Sequence, residues 1–454
     1  PRTYFSNFFD NEIFELIADQ TNLYSCQLIG GRINTNISEI KAFIGIKLFM
    51  GVVKMPAMED YWASDTRYDK IADVMPIKHF KCLSRMLHFQ NNLVPESQED
   101  RLVNIRPVID HMRTKCSQIE SENQFSIDEM MVPYKEYLPA KPEKWGFKIF
   151  LRARVSGFVY DFFVYMGKST FDGATQIPLK EFGLGANVVL HLCKTIRNPP
   201  DCVVYFDNFF TSLDSMGLRS LGTIRKNRLM GCKLEDDREL LKRGRGSFDY
   251  RVNDAQLAIV KWADSKTVTL VSTCASVMPV GEVKRFSKKK GKQISVPCPQ
   301  IVAEYNHHMG GVDLADMMIA LYHTPAKSHR WYLCIFWQLI DIAVNNAWLL
   351  YRHDAAAIGP VKLKKLKAFR LDVAKGLIYP EKQKRGRPSL GNENDAPPID
   401  EMCYDGNSHY PVLSVKGRCR MCPDGQTSIR CEKCNVRLCI VTGQNARNCL
   451  RSFH

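Results

Sequence analysis

Acidic residues are in short supply in this chain, and so are long uninterrupted apolar runs. Asp and Glu number 48 against 63 Lys and Arg, which leaves a formal charge of +15 and a pI near 9.1. A surplus of that size favours a polyanionic partner. A membrane is the poorer candidate. The most apolar stretch, Trp331 to Leu350, is broken by Gln338, Asp341, Asn345 and Asn346, and one central Asp costs about 2.5–3.5 kcal/mol on insertion into a bilayer. No signal peptide follows Pro1, and the true N-terminus is expected to lie upstream. Nucleic acid remains as the favoured polyanion. With 45% hydrophobic and 24% charged residues over 454 positions, the composition is that of a globular protein of two or three domains.

Cysteine is absent from any regular pattern over most of the chain. Nine of the sixteen are scattered singly between Cys26 and Cys334, and the other seven fall between Cys403 and Cys449. Scattered single thiols read as buried, reduced core residues. In a reducing compartment the dense tail cluster then reads as metal-binding rather than disulfide-bonded.

The first 120 residues carry helical periodicity: Phe9, Ile13, Phe14 and Ile17, then Ile40, Phe43, Ile44 and Phe49 behind an expected Ser38 N-cap. The pattern changes at Phe125. Residues 125–134 form a short apolar run, 147–167 read as two strands joined at Ser156-Gly157, and Cys202 to Phe206 and Gly222 to Arg225 read as two more. From Gly231 to Pro297 the runs SFDYRV, LAIVKWAD and TVTLVST suggest an antiparallel insertion, ending in the basic tract VKRFSKKKGKQ with Lys288, Lys289 and Lys290. Helices resume at Ile301. After Arg330 an apolar face at i+3/i+4 steps, with Gln338, Asp341 and Asn345 opposite, predicts a long amphipathic helix whose aromatics are core. Residues 361–389 hold ten Lys or Arg and two acids, and 392–400 form a polar, proline-containing linker.

Three carboxylate contexts stand out. Asp128 sits inside an apolar run (FSIDEMM), Asp207 directly follows another (VVYFDNFF), and Asp313 and Asp316 lie three apart in MGGVDLADMM, on one side of a helix. An Asp ending a strand is commonly a turn or cap residue. Two acids on strands with a third on a later helix can instead converge on a pair of Mg²⁺ ions, whose hard-oxygen chemistry suits phosphodiester reactions. In the tail, Cys419-x₂-Cys422 and Cys431-x₂-Cys434 have the spacing that brings paired thiolates to one Zn²⁺, with Cys439, Cys449 and His454 following.

The ordered set SIDEMMVPYK, KPEKWGFKIF, YFDNFFTS, GTIRKNR, YNHHMGGVDLADMM and the cysteine-rich tail resembles the piggyBac transposase family, from about residue 5 to the C-terminus. The resemblance implies an α/β fold with an RNase H-like catalytic core. It implies catalytic Asp128, Asp207 and Asp313 holding two Mg²⁺ (Mn²⁺ as a substitute), and Asp316 as a nearby fourth acid. The implied division is a helical dimerisation and DNA-binding domain over 1–122 and 320–391, core segments at 123–230 and 298–319, and a β-rich insertion at 231–297. A linker at 392–402 and a zinc-binding module at 403–454 complete it. It also implies a homodimer acting on double-stranded DNA in the nucleus: nicking at the transposon inverted repeats, hairpin formation by the freed 3′-OH, and joining at TTAA. His409 matches a histidine often found at this place in the family, so eight ligands (His409, Cys419, Cys422, Cys431, Cys434, Cys439, Cys449 and His454) would hold two zincs. Their pairing is open at this point, and such a module could bind DNA ends or protein. Lys384, Arg385 and Arg387 surround RGRP, the core of an AT-hook-like arm for A·T-rich minor grooves, or else a solvated basic linker or nuclear-localisation signal. Two competitors to the transposase stand: a non-catalytic chromatin or DNA-binding protein on the same scaffold, and a zinc-module protein adaptor with a vestigial core.

Overall fold

The computed structural model describes residues 1–92, 100–119, 122–134, 146–171, 179–207, 218–229, 231–253, 257–288, 290–326, 328–359, 362–379, 409–422, 425–442 and 446–454. The chain divides into two compact units, Pro1–Glu381 and Lys382–His454.

In the first unit the helices α1 (Arg2–Ser6), α2 (Asn11–Ile29), α3 (Ile37–Val52), α4 (Asp69–Ala72), α5 (Ile77–Met86) and α6 (Arg106–Gln118) precede the sheet. Helix α2 begins where Asp10 accepts a hydrogen bond from the Ile13 amide, and α3 where Asn36 accepts one from the Glu39 amide at 3.0 Å. Asn36, not Ser38, is thus the cap: it holds the extended conformation that frees its side chain for the first turn.

Eight strands form one mixed sheet: β1 (Gln124–Pro133), β2 (Gly146–Ala153), β3 (Val159–Val164), β4 (Val203–Phe206), β5 (Arg219–Thr223), β6 (Phe248–Val252), β7 (Ala258–Ala263) and β8 (Thr267–Ser272), in the order β3-β2-β1-β4-β5-β8-β7-β6. The antiparallel β1–β2–β3 meander, with β4 parallel to β1 and β5 parallel to β4, is the strand order of an RNase H-like core. Helix α7 (Leu179–Cys193) lies in the crossover between β3 and β4. Strand β5 starts earlier than its sequence suggested and ends at Thr223, because Leu221 is the buried residue that registers it against β4. The antiparallel strands β8, β7 and β6 add to the outer edge of β5, so the insertion continues the core sheet. A further hairpin, β9 (Val280–Ser287) with β10 (Lys292–Pro299), carries the basic tract at its turn. It docks by Val283, Ile294, Val296 and Cys298 on a small core with Trp262 and Val260.

Helices α8 (Asp237–Lys242), α9 (Gln300–His308), α10 (Gly311–Leu321), α11 (Trp331–Ile358) and α12 (Leu366–Ile378) complete the unit. The helices before β1 pack with α11 and α12. Phe43 meets Trp337 at 6.1 Å between ring centroids, and the Gly45 position lies directly against Ala374 and Ile378. The amphipathic expectation for α11 is corrected here. Gln338, Asp341, Asn345 and Asn346 are all buried, so the helix is enclosed on every side over residues 332–347, while Arg352, His353 and Ile358 in its last turns are exposed. Asp341 accepts from the Thr324 amide at 2.9 Å and from Arg370 at 2.7 Å, while Asn346 pairs with both backbone groups of Val159 on β3. Helix α11 is long and apolar enough to cross a membrane, yet 89% of its apolar window is covered by protein. Among the nine scattered cysteines five are buried, Cys82 and Cys232 are half-buried, and Cys26 and Cys274 are exposed. The reading of all nine as core thiols therefore fails for these exposed two.

The second unit holds β11 (Pro411–Arg418), β12 (Gln426–Cys431), β13 (Ile440–Val441), β14 (Arg447–Asn448) and α13 (Cys449–Phe453) around a core made largely of cysteines.

Candidate active site and metal-ligand clusters

Strand geometry places two of the acids. Phe125 and Ile127 turn into the core on one face of β1, and Asp128, on the other face, is half-buried. Asp207 directly follows the buried β4, in parallel register beside β1, where Ile127 pairs with Phe206. Asp313 stands in the first turn of α10. What brings that helix close is Gly311: a Cβ there would lie 2.3 Å from the Arg154 carbonyl oxygen and 2.5 Å from Ser126 Oγ. Glycine alone lets the helix terminus rest on β1 and β2. Gly157, at φ +88°, makes the same approach from the β2–β3 turn, against Ala315 and Met318.

Two of these carboxylates bear on the third, Asp128. Burial pushes the Asp128 carboxyl up to about 6, and the negative charges of Asp313, Glu129 and Asp207 add to that rise, against a 2.8 Å hydrogen bond from the Glu129 amide. A desolvated acid among acids is the electrostatic signature of a cation site, and three carboxylates offer the hard oxygen donors that Mg²⁺ or Mn²⁺ take. Asp316 is exposed one turn further along α10.

Two neighbours were not singled out from the sequence. Thr223 Oγ1, at the end of β5, donates to Asp207 Oδ1 at 2.6 Å. Tyr305 on α9 hydrogen-bonds Thr223, and its phenol is held above its ordinary range by burial and by the charges of Asp207, Asp128 and Asp313. Both residues lie inside the tracts GTIRKNR and YNHHMGGVDLADMM that carry the family resemblance, but nothing in their local sequence sets them beside Asp207. Behind them His308 stacks on Tyr205 at 4.7 Å.

The eight tail ligands separate into two sets of four, His409, Cys431, Cys434 and His454 in one and Cys419, Cys422, Cys439 and Cys449 in the other. Their interleaving along the chain makes a cross-brace. Contacts within the sets run from 3.3 Å for His409 Nδ1 to Cys431 Sγ, through 3.4 Å for Cys422 to Cys439 and for Cys439 to Cys449, to 3.5 Å for Cys434 Sγ to His454 Nε2. Tetrahedral zinc with Zn–S near 2.3 Å and Zn–N near 2.0 Å sets its ligands about 3.5–3.8 Å apart, so the donors fit. Burial works against ionising Cys419, yet amides of Cys422, Cys439 and Met421 outweigh it and hold the thiol at about 6, ready as a thiolate. Two Cys/His clusters of this kind suggest structural zinc.

Of the expected DNA-contacting residues, Lys288 and Lys290 stand exposed at the β9–β10 turn. Lys289, Lys384, Arg385 and Arg387 lie outside the described residues.

With this geometry in hand, comparison with known proteins decides the lineage. A family model described as transposase IS4 matches residues 1–348. The human piggyBac transposable element-derived protein 3 is 32% identical over 450 residues, covering 95% of this chain and 73% of the relative. The chain belongs to the piggyBac transposase and piggyBac-derived protein family. The human piggyBac transposable element-derived protein 2 is 30% identical over 376 residues, 78% of this chain and 61% of its own length. The chain thus spans about three fifths to three quarters of these relatives. A solved piggyBac transposase, in a synaptic complex with hairpin DNA, superposes with a TM-score of 0.67 at 23% identity, over 98% of this chain and 97% of that one.

Proposed function

We propose that this chain is a piggyBac-type DNA transposase, a metal-dependent enzyme that cleaves and joins DNA strands at transposon ends with TTAA target preference. The observation that carries the reading is the state of Asp128: burial pushes its carboxyl up to about 6, and the charges of Asp313, Glu129 and Asp207 add to the rise. These three would hold the divalent ions, Mg²⁺ or Mn²⁺. Bound there, such ions supply activation of the attacking oxygen and neutralisation of charge on the phosphate. The protein's own groups prepare the site: Thr223 and Tyr305 orient Asp207, the Glu129 amide holds Asp128, and Gly311 seats the helix that carries Asp313. Asp316 adds a fourth acid. Lys288, Lys289, Lys290, Lys384, Arg385 and Arg387 would meet phosphates or grooves of the duplex. Each Cys/His set holds one zinc, the enzyme works as a homodimer on its two DNA ends, and it acts in the nucleus.

Incubating the purified protein with Mg²⁺ and a duplex bearing the inverted repeats that flank its gene tests this. The wild type should cut at the repeat ends and give hairpin products. Asp128→Asn, Asp207→Asn and Asp313→Asn should each lose cleavage by on the order of 10³-fold, the equivalent of several kcal/mol of transition-state stabilisation, with DNA binding kept. Full cleavage by any one variant would remove that residue from the site. The second reading, a non-catalytic DNA-binding protein on the same scaffold, is favoured by one observation: both human relatives are named as transposable element-derived proteins. End-selective binding without cleavage by the wild type would support it.

A further inference from the structure

The β9–β10 hairpin has two unlike faces. Inward, Val283 and Ile294 pack on the small core around Trp262. Arg285 reaches Asp264 at 3.2 Å and lies over the Trp262 ring, and the Trp262 indole donates to the Pro297 carbonyl at 2.9 Å. The ribbon is therefore pinned along its length. Outward, alternation presents Lys284 and Phe286 on one strand opposite Ser295 and Gln293 on the other. Phe286 is 60% exposed, and among the described residues no other aromatic ring lies against it. The turn beyond it presents Lys288 and Lys290, and Lys292 opens β10, all three exposed. Over 280–299 six Lys or Arg stand against the single acid Glu282.

An isolated exposed aromatic is ordinary on a protein surface. One held rigidly on a ribbon, with lysines on either side and no apolar neighbour on its face, is not arranged for a protein partner. Lysine ammonium groups pair with phosphates as point charges. A ring set among them meets whatever lies between phosphates, which in nucleic acid is a base. Paired and stacked bases are closed to it; an unstacked base or an easily opened step offers a π-face, and side chains such as Phe serve as wedges there.

We infer that this hairpin is a β-ribbon for distorted DNA: Phe286 stacks on a base displaced from the helix while Lys284, Lys288, Lys290 and Lys292 hold the flanking phosphates. The inference rests on the DNA-directed reading above and is independent of strand cleavage. It makes Phe286 a selector of deformable DNA, and the lysines suppliers of general affinity.

The test is equilibrium binding of the full chain in EDTA. The DNAs are an intact duplex, the same duplex with a two-base mismatch, and a hairpin with an unpaired loop, each with 2-aminopurine at the opened position. Wild type should prefer the opened DNAs, and its binding should quench the 2-aminopurine signal through stacking. Phe286→Ala should lower affinity for the opened DNAs about tenfold, abolish the quench and change intact-duplex affinity less than twofold. Phe286→Trp should restore both. Lys288→Ala with Lys290→Ala should weaken binding to all three DNAs alike and flatten the salt dependence. The side chain is exposed, so unchanged melting of Phe286→Ala should accompany these results. Wild-type preference and quench persisting in Phe286→Ala would overturn the inference while leaving the DNA-directed reading intact. Failure of the wild type to bind any of the DNAs would overturn both.

Discussion

Asp128 carries a load that the rest of its strand does not. Its pKa stands at about 6 in the folded protein against an ordinary 3.8, so the native state binds a proton more tightly than the unfolded chain. Stability attributable to this group is therefore intact below about pH 4, falls as pH rises to about 6, and stays reduced above that. Asp128→Asn keeps the hydrogen bond from the Glu129 amide and removes the charge. In metal-free protein it should raise unfolding free energy at pH 7.5 by on the order of 2 kcal/mol, with no gain at pH 4. Urea denaturation at the two pH values measures it, and an equal effect at both would show that the acid is not electrostatically strained. The acids themselves were legible from the sequence, because a charged residue in or beside a buried run needs a partner. Thr223 and Tyr305 were not. A threonine ending a strand and a tyrosine on a helix are ordinary, and only the fold brings them against Asp207.

At the scale of elements, periodicity identified most strands and the long helix, and it misjudged what covers them. Helix α11 reads as amphipathic because Gln338, Asp341 and Asn345 share a face, yet that face is buried as well, with Asp341 paired to Arg370 and Thr324. Pattern reports polarity, and burial depends on which later element supplies the hydrogen bonds. The β9–β10 strands went unseen for a related reason: a tract so rich in lysine has an apolar side only where it docks on Trp262. The seating of α10 is the element contact on which the site depends most. Gly311→Ala would place a methyl 2.3 Å from a backbone carbonyl of Arg154, which cannot swing aside, so the helix must shift off β1. Such overpacking costs about 1–3 kcal/mol, and the shift should carry Asp313 away from Asp128. Cleavage should be lost with folding retained; full activity in Gly311→Ala would show that the helix has slack. The basic segment 361–389 offers a separate element test. Affinity should fall with salt with a log–log slope of about −0.9 per contacted phosphate. Arg385→Ala with Arg387→Ala should reduce preference for A·T-rich DNA, and an unchanged slope and preference would leave RGRP as a linker.

For the whole molecule, the division into Pro1–Glu381 and Lys382–His454 sets two kinds of stability side by side. The first unit buries a large aromatic and aliphatic core. Among the described residues, the buried apolar cluster of the second consists of five cysteines with Val436 and Leu438, little apolar surface to fold on. The ligand spacing was readable as metal-binding from the sequence, but which ligand joins which set was not, since a cross-brace and two sequential sites use the same residues. In the cross-brace a metal in each set would tie distant parts of the unit, His409 to His454 and Cys419 to Cys449, so losing either ion should open the whole. Zinc binding then acts as folding free energy, on the order of 10 kcal/mol per site. Metal analysis should find about two zincs per chain. Cys431→Ser with Cys434→Ser, or treatment with a zinc chelator, should abolish the tail's protection from proteolysis and leave the melting of the first unit unchanged. If the second unit is what reads the DNA ends, the altered protein should still bind DNA through its basic surfaces but lose discrimination for its own repeats, because phosphate contacts position a protein without reading sequence. A zinc-free protein that keeps normal end selectivity would remove the second unit from recognition and return that task to the first.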